Sequence, residues 1–164
     1  MNSDFEDLLA VNRRYATSAP KNFDGIAHAG IAIVTCMDSR LEPLGMVGLF
    51  VGEAKILRTP GGHVTPDAVV GCVLGVNLLQ VNRILVVSHS RCAMASGTND
   101  EIRARVAEAS GRDASSLVPD ADPDQAGRLR ADVQALASHP LIAGRAVVGG
   151  FHYDVDTGLL QQVC

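Results

Sequence analysis

Four runs rich in apolar and β-branched residues give the first indication of the fold. They occupy 31–35, 55–58, 83–88 and 146–151. The first run, IAIVT, is apolar or β-branched at every position, which is typical of a strand covered on both faces of a sheet. We therefore predict four strands, the first of them buried.

Segments with helical spacing separate these runs. They cover 4–17, 41–49, 66–80, 99–109 and 123–138. Thr65 is a suitable cap for the third segment, because Pro66 then takes the first helical position. A β-α-β-α-β order with right-handed crossovers builds a parallel sheet with flanking helices.

The strand order follows from the path of the chain. If it steps outward from the first strand to the second and returns on the other side, the order begins 2-1-3. The polar residues 154–158 favour a turn into 159–163, which predicts an antiparallel hairpin at the sheet edge. The predicted fold class is thus α/β, a doubly wound, mostly parallel sheet of order 2-1-3-4 with an antiparallel edge hairpin and flanking helices. Ligands bind such sheets at the switch point, here between the first and third strands.

Residue types that bind metals follow both strands at that point. Cys36 comes directly after the first strand, and His89 and Cys92 follow the third. Neighbouring strands lie about 4.8 Å apart, so the three side chains can reach one ion. Two thiolates and one imidazole suit Zn²⁺, and three protein ligands leave a fourth position for water or substrate, as catalytic sites do.

Composition limits the classes of protein that fit. With 164 residues, of which 47% are hydrophobic, the chain fits one globular domain over 1–164. The net charge of −4 comes from acidic and basic residues that are mixed along the chain, so no nucleic-acid footprint is visible. We expect a small, uncharged or anionic partner.

Nothing in the sequence predicts a membrane protein or a disulfide framework. The apolar stretch 68–79 is too short to span a bilayer, and the first residues do not form a signal peptide, so we expect a cytoplasmic protein. Its four cysteines are then expected to be reduced. Cys72, within VVGCVL, is predicted to pack in the core, and Cys164 to be exposed.

The motif Cys36-x-Asp38-x-Arg40, followed by His89-x-x-Cys92, resembles the zinc-site signature of the β-class carbonic anhydrases. The resemblance covers nearly the whole chain. It includes the segment Arg58-x-x-Gly61-Gly62 and the closing segment Gly150-Phe151-x-Tyr153-Asp154-x-x-Thr157-Gly158-x-Leu160. Beside the second cysteine, Arg91 and Ala93 stand where that family commonly has an acidic residue and glycine.

This resemblance implies a zinc lyase that interconverts carbon dioxide and bicarbonate, with Cys36, His89 and Cys92 as ligands. It also implies that Asp38 and Arg40 lie beside the metal. Zinc lowers the pKa of a bound water towards about 7, which makes hydroxide available at neutral pH. Asp38 would accept a hydrogen bond that orients this group, and Arg40 would keep Asp38 ionised and away from the metal.

Other interpretations of the site remain open. Asp38 could instead be a fourth ligand in a closed site, and Arg58, Gly61 and Gly62 are weaker candidates for shaping the pocket. A related hydrolase of carbonyl sulfide or carbon disulfide would use the same zinc site, and a non-catalytic zinc-stabilised binding module would lack an open metal position. The remaining histidines fit surface or core positions, although His63 beside the diglycine could line the entrance.

Assembly is expected as a homodimer or a dimer of dimers. The resemblance implies dimers, and the first helix, in 1–17, has a narrow apolar stripe that a partner subunit can cover. A connection with Pro20 and Gly25 joins this helix to the rest of the chain.

Overall fold

The structure, a computed structural model, describes residues 4–22 and 24–164. Its described part contains five β-strands and four α-helices. The strands are β1 Ile31–Cys36, β2 Ala54–Thr59, β3 Arg83–His89, β4 Val147–Tyr153 and β5 Leu160–Gln162. The helices are α1 Glu6–Ser18, α2 Pro66–Leu78, α3 Asn99–Ser110 and α4 Gln125–Ala137. Each of the predicted strands is present, with ends that differ by up to two residues.

The strands form one sheet in the order β2-β1-β3-β4-β5. All neighbours are parallel except β4 and β5, which are antiparallel. The predicted order and the edge hairpin are therefore confirmed. Thr35 pairs with Val87, so the ends of β1 and β3 reach the same edge of the sheet. This register brings the loops that follow the two strands side by side.

Every residue of β1 is buried, because β1 lies between two strands and has apolar residues on both faces. Its residues Ala32 and Val34 join a cluster with side chains of α2 and α4. Ile31 and Ile33 belong to a second cluster on the opposite face. The alternation of side chains along a strand thus divides β1 between two cores.

The face of the sheet that carries Ile31 and Ile33, called the second face below, is not covered by α2 and α4. Within the described residues, the apolar groups packed against this second cluster come from the strands, from Ala29 and from 46–49. A groove of about 460 Å³ runs over this face, lined in part by Val47, Leu85 and Phe151. This apolar surface is therefore less completely covered than the face beneath α2 and α4.

The helix predicted over 41–49 was wrong. The structure has only a short 3₁₀ turn there, Gly45–Val47. The segment is short and rich in helix-breaking residues, and Gly48 turns the chain into the left-handed region with φ 70°. By contrast, α2 begins as predicted: Pro66 is its first residue, and the Thr65 hydroxyl accepts a hydrogen bond from the N–H of Ala68 at 3.3 Å.

The first helix has no buried residue among those the structure describes. It corresponds to the helix predicted within 1–17, although residues 1–3 lie outside the described part. Its apolar side chains are instead exposed, with Leu8 at 60% and Tyr15 at 55%. In the described residues, no helix is both long enough and apolar enough to cross a membrane.

Candidate metal centre

The three predicted metal ligands meet at the edge shared by β1 and β3. Cys36 is the last residue of β1, His89 is the last residue of β3, and Cys92 lies in the loop that follows. Their donor atoms all lie within 4.8 Å of one another, and all three residues are buried. Parallel strands with matching ends therefore bring together the three residues that the sequence predicts as ligands.

The hydrogen bonds of His89 leave one ring nitrogen for a further partner. Its Nδ1 lies 2.9 Å from the carbonyl oxygen of Ser90, which can only accept, so this nitrogen is the donor. Its Nε2 is buried and has no hydrogen-bond partner among the described residues. A buried polar atom without a partner is costly, and a metal ion bound to Nε2 would remove that cost. The donor set and this nitrogen therefore fit zinc.

The thiols of Cys36 and Cys92 strongly shift each other's pKa. The hydrogen bond with Cys92 lowers the pKa of Cys36 to about 4, and His89 acts in the same direction. The pKa of Cys92 is raised, because its proton is held in the hydrogen bond to Cys36. One thiolate is thus favoured even before a metal binds, whereas binding through both sulfurs releases the remaining proton.

Asp38 and Arg40 form a bidentate pair beside these donors. Arg40 Nε donates to Asp38 Oδ1 at 2.9 Å, and Arg40 Nη2 donates to Asp38 Oδ2 at 2.7 Å. This pairing holds the pKa of Asp38 well below its usual range. Asp38 Oδ2 lies 4.0 Å from His89 Nε2. An ionised carboxylate therefore lies next to the donor group, with both oxygens bound to Arg40.

Arg58 supports the loop that carries these residues. Its Nε donates to the carbonyl of Cys36 at 3.0 Å, and its Nη2 donates to the carbonyls of Asp38 at 2.6 Å and Leu41 at 3.3 Å. One guanidinium thus fixes three backbone carbonyls of the segment 36–41. This geometry gives Arg58 a role in holding the loop, and its side chain does not line the cavity described next.

A cavity of about 540 Å³ opens beside the donor group. Its polar wall contains Cys36, Asp38 and Arg40. Much of the remaining wall is apolar and is formed by Met37, Pro60, Ala93 and Met94. Such a cavity suits a small, weakly polar molecule that approaches the donor group.

The two glycines after β2 have different positions. Gly61 lines the cavity. Gly62 lies between the ends of β1 and β3, where an added Cβ would be 2.7 Å from the carbonyl oxygen of Val87 and 3.0 Å from the N–H nitrogen of Cys36. Gly62 thus permits the close backbone approach that lets the two strand ends meet.

His63 lies behind the cavity wall. It is buried, its ring would be 2.6 Å from a Cβ added to Gly61, and its Nδ1 is 3.4 Å from Asp120 Oδ2. It does not line the cavity, so it is not part of the entrance. The two residues before it, Gly61 and Gly62, both have a left-handed φ, of 74° and 73°.

Three polar residues of α4 support the site, although no sequence motif indicates them. Gln125 Nε2 donates to the carbonyl of His89 at 3.1 Å. Asp132 accepts from the N–H of Val64 at 3.0 Å and from Arg128 Nε at 2.9 Å. Their spacing over two turns of one helix is the only local signal, because their partners lie far away in the sequence.

Comparisons with known proteins agree with this geometry. The family model described as carbonic anhydrase matches residues 31–160. Beta-carbonic anhydrase 1 of Mycobacterium tuberculosis is 31% identical over 158 residues, which cover 96% of both chains. The chain belongs to the β-carbonic anhydrase family. The crystal structure of the carbonic anhydrase from Streptococcus mutans superimposes with a TM-score of 0.87 and 32% identity, covering 100% of this chain and 99% of that one.

The β-carbonic anhydrase resemblance drawn from the motifs is thereby confirmed. A protein named carbon disulfide hydrolase, from Acidithiobacillus thiooxidans, is 27% identical over 181 residues, covering 94% of this chain and 79% of that protein. The family fold therefore occurs in relatives that carry two different enzyme names.

Proposed function

We propose that this protein is a zinc-dependent lyase that interconverts carbon dioxide and bicarbonate. The observation that carries the proposal is the buried donor group of Cys36, His89 and Cys92, in which His89 Nε2 has no other described partner. The donor types are those that zinc prefers, and three of them leave one coordination position open. Membership in the β-carbonic anhydrase family supports the same reaction.

In this proposal the three residues hold the metal, and bound zinc lowers the pKa of a coordinated water to about 7. Cys36 and Cys92 would bind as thiolates. His89 would bind through Nε2, because its Nδ1–H is engaged by the Ser90 carbonyl. Gln125 donates to the backbone carbonyl of His89, so this residue is held both at its ring, by Ser90, and at its backbone.

Asp38 acts as the acceptor that orients the reacting group, and Arg40 positions Asp38. The low pKa of Asp38 keeps the carboxylate ionised at neutral pH, so it accepts and does not donate. Because Arg40 engages both oxygens, neither is free to bind a metal that the three donors would hold. Release from Arg40 would allow Asp38 to become the fourth ligand of a closed site.

The cavity supplies the binding surface for the substrate. Carbon dioxide has no net charge and no hydrogen-bond donor, so the apolar wall formed by Met37, Pro60 and Met94 suits it. Gly61 contributes backbone to this wall, and Arg58 and Gly62 act behind it by holding the loop and the strand ends.

Stopped-flow measurement of carbon dioxide hydration tests the proposal directly. The zinc-loaded protein should raise the hydration rate above background, and Cys36→Ala should remove the effect together with the metal. One zinc per chain without any hydration activity would reject the proposed reaction and favour a non-catalytic, zinc-stabilised module.

A second candidate reaction is hydrolysis of carbon disulfide or carbonyl sulfide at the same site. Its support is the relative named carbon disulfide hydrolase, together with an apolar cavity that suits these molecules. Both assays should be run on one zinc-loaded preparation. Release of hydrogen sulfide from carbon disulfide, at a rate above that of carbon dioxide hydration, would make this the principal reaction.

We also propose a homodimer, alone or as half of a dimer of dimers, in a reducing compartment such as the cytoplasm. The exposed apolar side chains of α1 and the apolar groove on the second face of the sheet are both surfaces that a second copy can cover. The four free cysteines fit a reducing compartment, because oxidation of Cys36 and Cys92 would remove two metal donors.

A further inference from the structure

The guanidinium of Arg40 donates to a third acceptor, in addition to the two carboxylate oxygens of Asp38. Its Nη2 donates to Asp38 Oδ2 at 2.7 Å and also to the carbonyl oxygen of Arg91 at 3.1 Å. Arg91 directly precedes Cys92, so a single guanidinium connects the loops after β1 and β3. The pose of Arg40 therefore depends on the direction of the Arg91 carbonyl.

Arg91 has an unusual backbone conformation. Its φ is 55°, in the left-handed region that residues with a Cβ rarely adopt. Such a conformation persists only where surrounding contacts hold it. Contacts with other segments are therefore needed to keep the Arg91 carbonyl directed at Arg40.

The end of β4 and the turn that follows it provide these contacts. The N–H of Ser90 donates to the carbonyl of Tyr153 at 2.9 Å, and the N–H of Val155 donates to the hydroxyl of Ser90 at 3.0 Å. The guanidinium of Arg91 forms an ion pair with the carboxylate of Asp156. The loop before Cys92 is thus attached to the β4–β5 turn by backbone and side chain.

The β4–β5 turn, residues 154–158, is itself fixed by its own hydrogen bonds. Asp154 Oδ1 accepts from the N–H groups of Asp156 at 2.8 Å and Thr157 at 3.2 Å. The carbonyl of Asp154 accepts from the N–H of Gly158 at 2.8 Å. Asp156 is therefore presented to Arg91 from an ordered turn.

We propose that Arg91, through its ion pair with Asp156, is a positioning residue for the Asp38–Arg40 pair. The ion pair stabilises the left-handed backbone of Arg91, its carbonyl then binds Arg40, and Arg40 in turn keeps Asp38 away from the metal. The inference rests on the proposed function, because it concerns the same pair. In this view, the β4–β5 turn favours the open site, in which Asp38 does not bind the metal.

Variants at Arg91 separate its side chain from its backbone. Arg91→Ala removes the ion pair and leaves a residue that disfavours φ 55°, so the carbonyl should turn away from Arg40. Arg91→Gly removes the same ion pair but tolerates this φ, so more of the parent behaviour should remain. The double variant Arg91→Asp with Asp156→Arg restores a pair of opposite charge, and aspartate tolerates the left-handed region better than most residues.

Two measurements on the zinc-loaded protein of 164 residues report the pose of Arg40 without using the reaction. The first is ¹⁵N NMR of the Arg40 Nε–H, whose exchange with solvent rises when its bond to Asp38 opens. The second is calorimetric titration with azide, an anion that binds only where Asp38 has not taken the fourth position. Asp100→Asn is the matched control, because it alters the exposed ion pair of Arg103 away from the site.

Arg91→Ala should weaken azide binding about two- to fivefold, the range expected for an exposed ion pair, and should speed Nε–H exchange by a similar factor. Arg91→Gly should lose less azide affinity than Arg91→Ala, and the charge-swapped double variant should recover the affinity. Asp100→Asn should match the parent in both azide affinity and Nε–H exchange. Parent values for Arg91→Ala in both measurements would overturn the inference. Absence of carbon dioxide hydration in the parent would instead count against the proposed reaction. Azide binding and Nε–H exchange would still test the role of Arg91, because neither uses the reaction.

Discussion

His89 shows how the surroundings of one residue decide its chemistry. The carbonyl of Ser90 occupies Nδ1, so the neutral ring has its lone pair on the buried Nε2. Four other histidines occur in the chain, and none combines complete burial with two neighbouring thiols. Residue type alone therefore did not select the ligand, whereas the position at the end of β3 did.

Substitution of each proposed ligand should remove zinc. Cys36→Ala, His89→Ala and Cys92→Ala should each bind less than one zinc per chain and lose activity, because two remaining donors hold the metal weakly. Cys72→Ala is the control, since this thiol is fully buried in the core and does not belong to the donor group. Metal analysis after dialysis measures the result, and full zinc retention in the ligand variants would contradict the site.

Removal of Arg40 should lower activity most strongly below neutral pH. The pKa of Asp38 is depressed in the folded state, so the stabilisation from its pairing is present above its unfolded pKa and is lost only as pH falls through the lower folded pKa. Titration of Asp38 therefore does not govern the range from pH 5 to 9. In Arg40→Ala the ionised carboxylate is free to reach the metal, and we expect a loss on the order of ten- to a hundredfold.

The pH-rate profile provides the measurement. Arg40→Ala should show a midpoint at higher pH than the parent, because water must displace Asp38 from the fourth position. Asp38→Ala should leave that position open at every pH tested but lose the orienting acceptor. An Arg40→Ala profile that superimposes on that of the parent, with unchanged metal coordination in X-ray absorption, would count against this role.

At the scale of elements, the junction between β1 and β3 decides whether the donors meet. Gly62 fills the space between the two strand ends, where backbone atoms on both sides leave no room for a side chain. Arg58, α4 and the diglycine then fix the loops around this junction. The site is therefore built on strand ends, and its loops are held by partners from other elements.

Gly62→Ala should destabilise the protein by about 2–5 kcal/mol, the sum of a left-handed φ and an overpacked contact with rigid backbone. Gly144→Ala is the control, because Gly144 has a similar φ of 72° but nothing within 4 Å of an added Cβ. We expect about 1–2 kcal/mol there. Urea unfolding measures both, and equal losses would show that the contact with Val87 and Cys36 is unimportant.

At the scale of the whole molecule, two apolar surfaces favour self-association. The helix α1 has no buried residue in the described part of the chain, and the second face of the sheet has an apolar groove. A helix with exposed apolar residues gains stability when another surface covers it. The dimer stays a prediction, as does the single domain over 1–164.

Leu8→Asp should weaken the dimer by about a hundredfold or more in Kd, because it places a charge at a predicted interface. Arg14→Asp is the control, since residue 14 lies on another face of α1. Sedimentation at micromolar concentration should give a dimer for the parent and the control and a monomer for Leu8→Asp. A monomeric parent with full activity would refute the dimer, and deletion of 1–17 offers a second check.

The sequence by itself determined the strands, their order and the three candidate ligands. These features depend on local patterns: an apolar run such as IAIVT predicts a buried strand, and Cys36 and His89 follow strands whose parallel ends share one edge. The motif added Asp38 and Arg40. Because each of these signals lies within a few consecutive residues, it can be identified without knowing the rest of the fold.

Only the tertiary structure decided which distant groups support the site. The 3₁₀ turn in place of the helix over 41–49, the burial of His63, and the bonds from Gln125 to His89 and from Asp132 to Val64 all depend on contacts between separate elements. Their energies depend on distance and direction in space, which spacing along the chain does not encode. The direction of the Arg91 carbonyl belongs to the same class, since it is set by a turn more than sixty residues away.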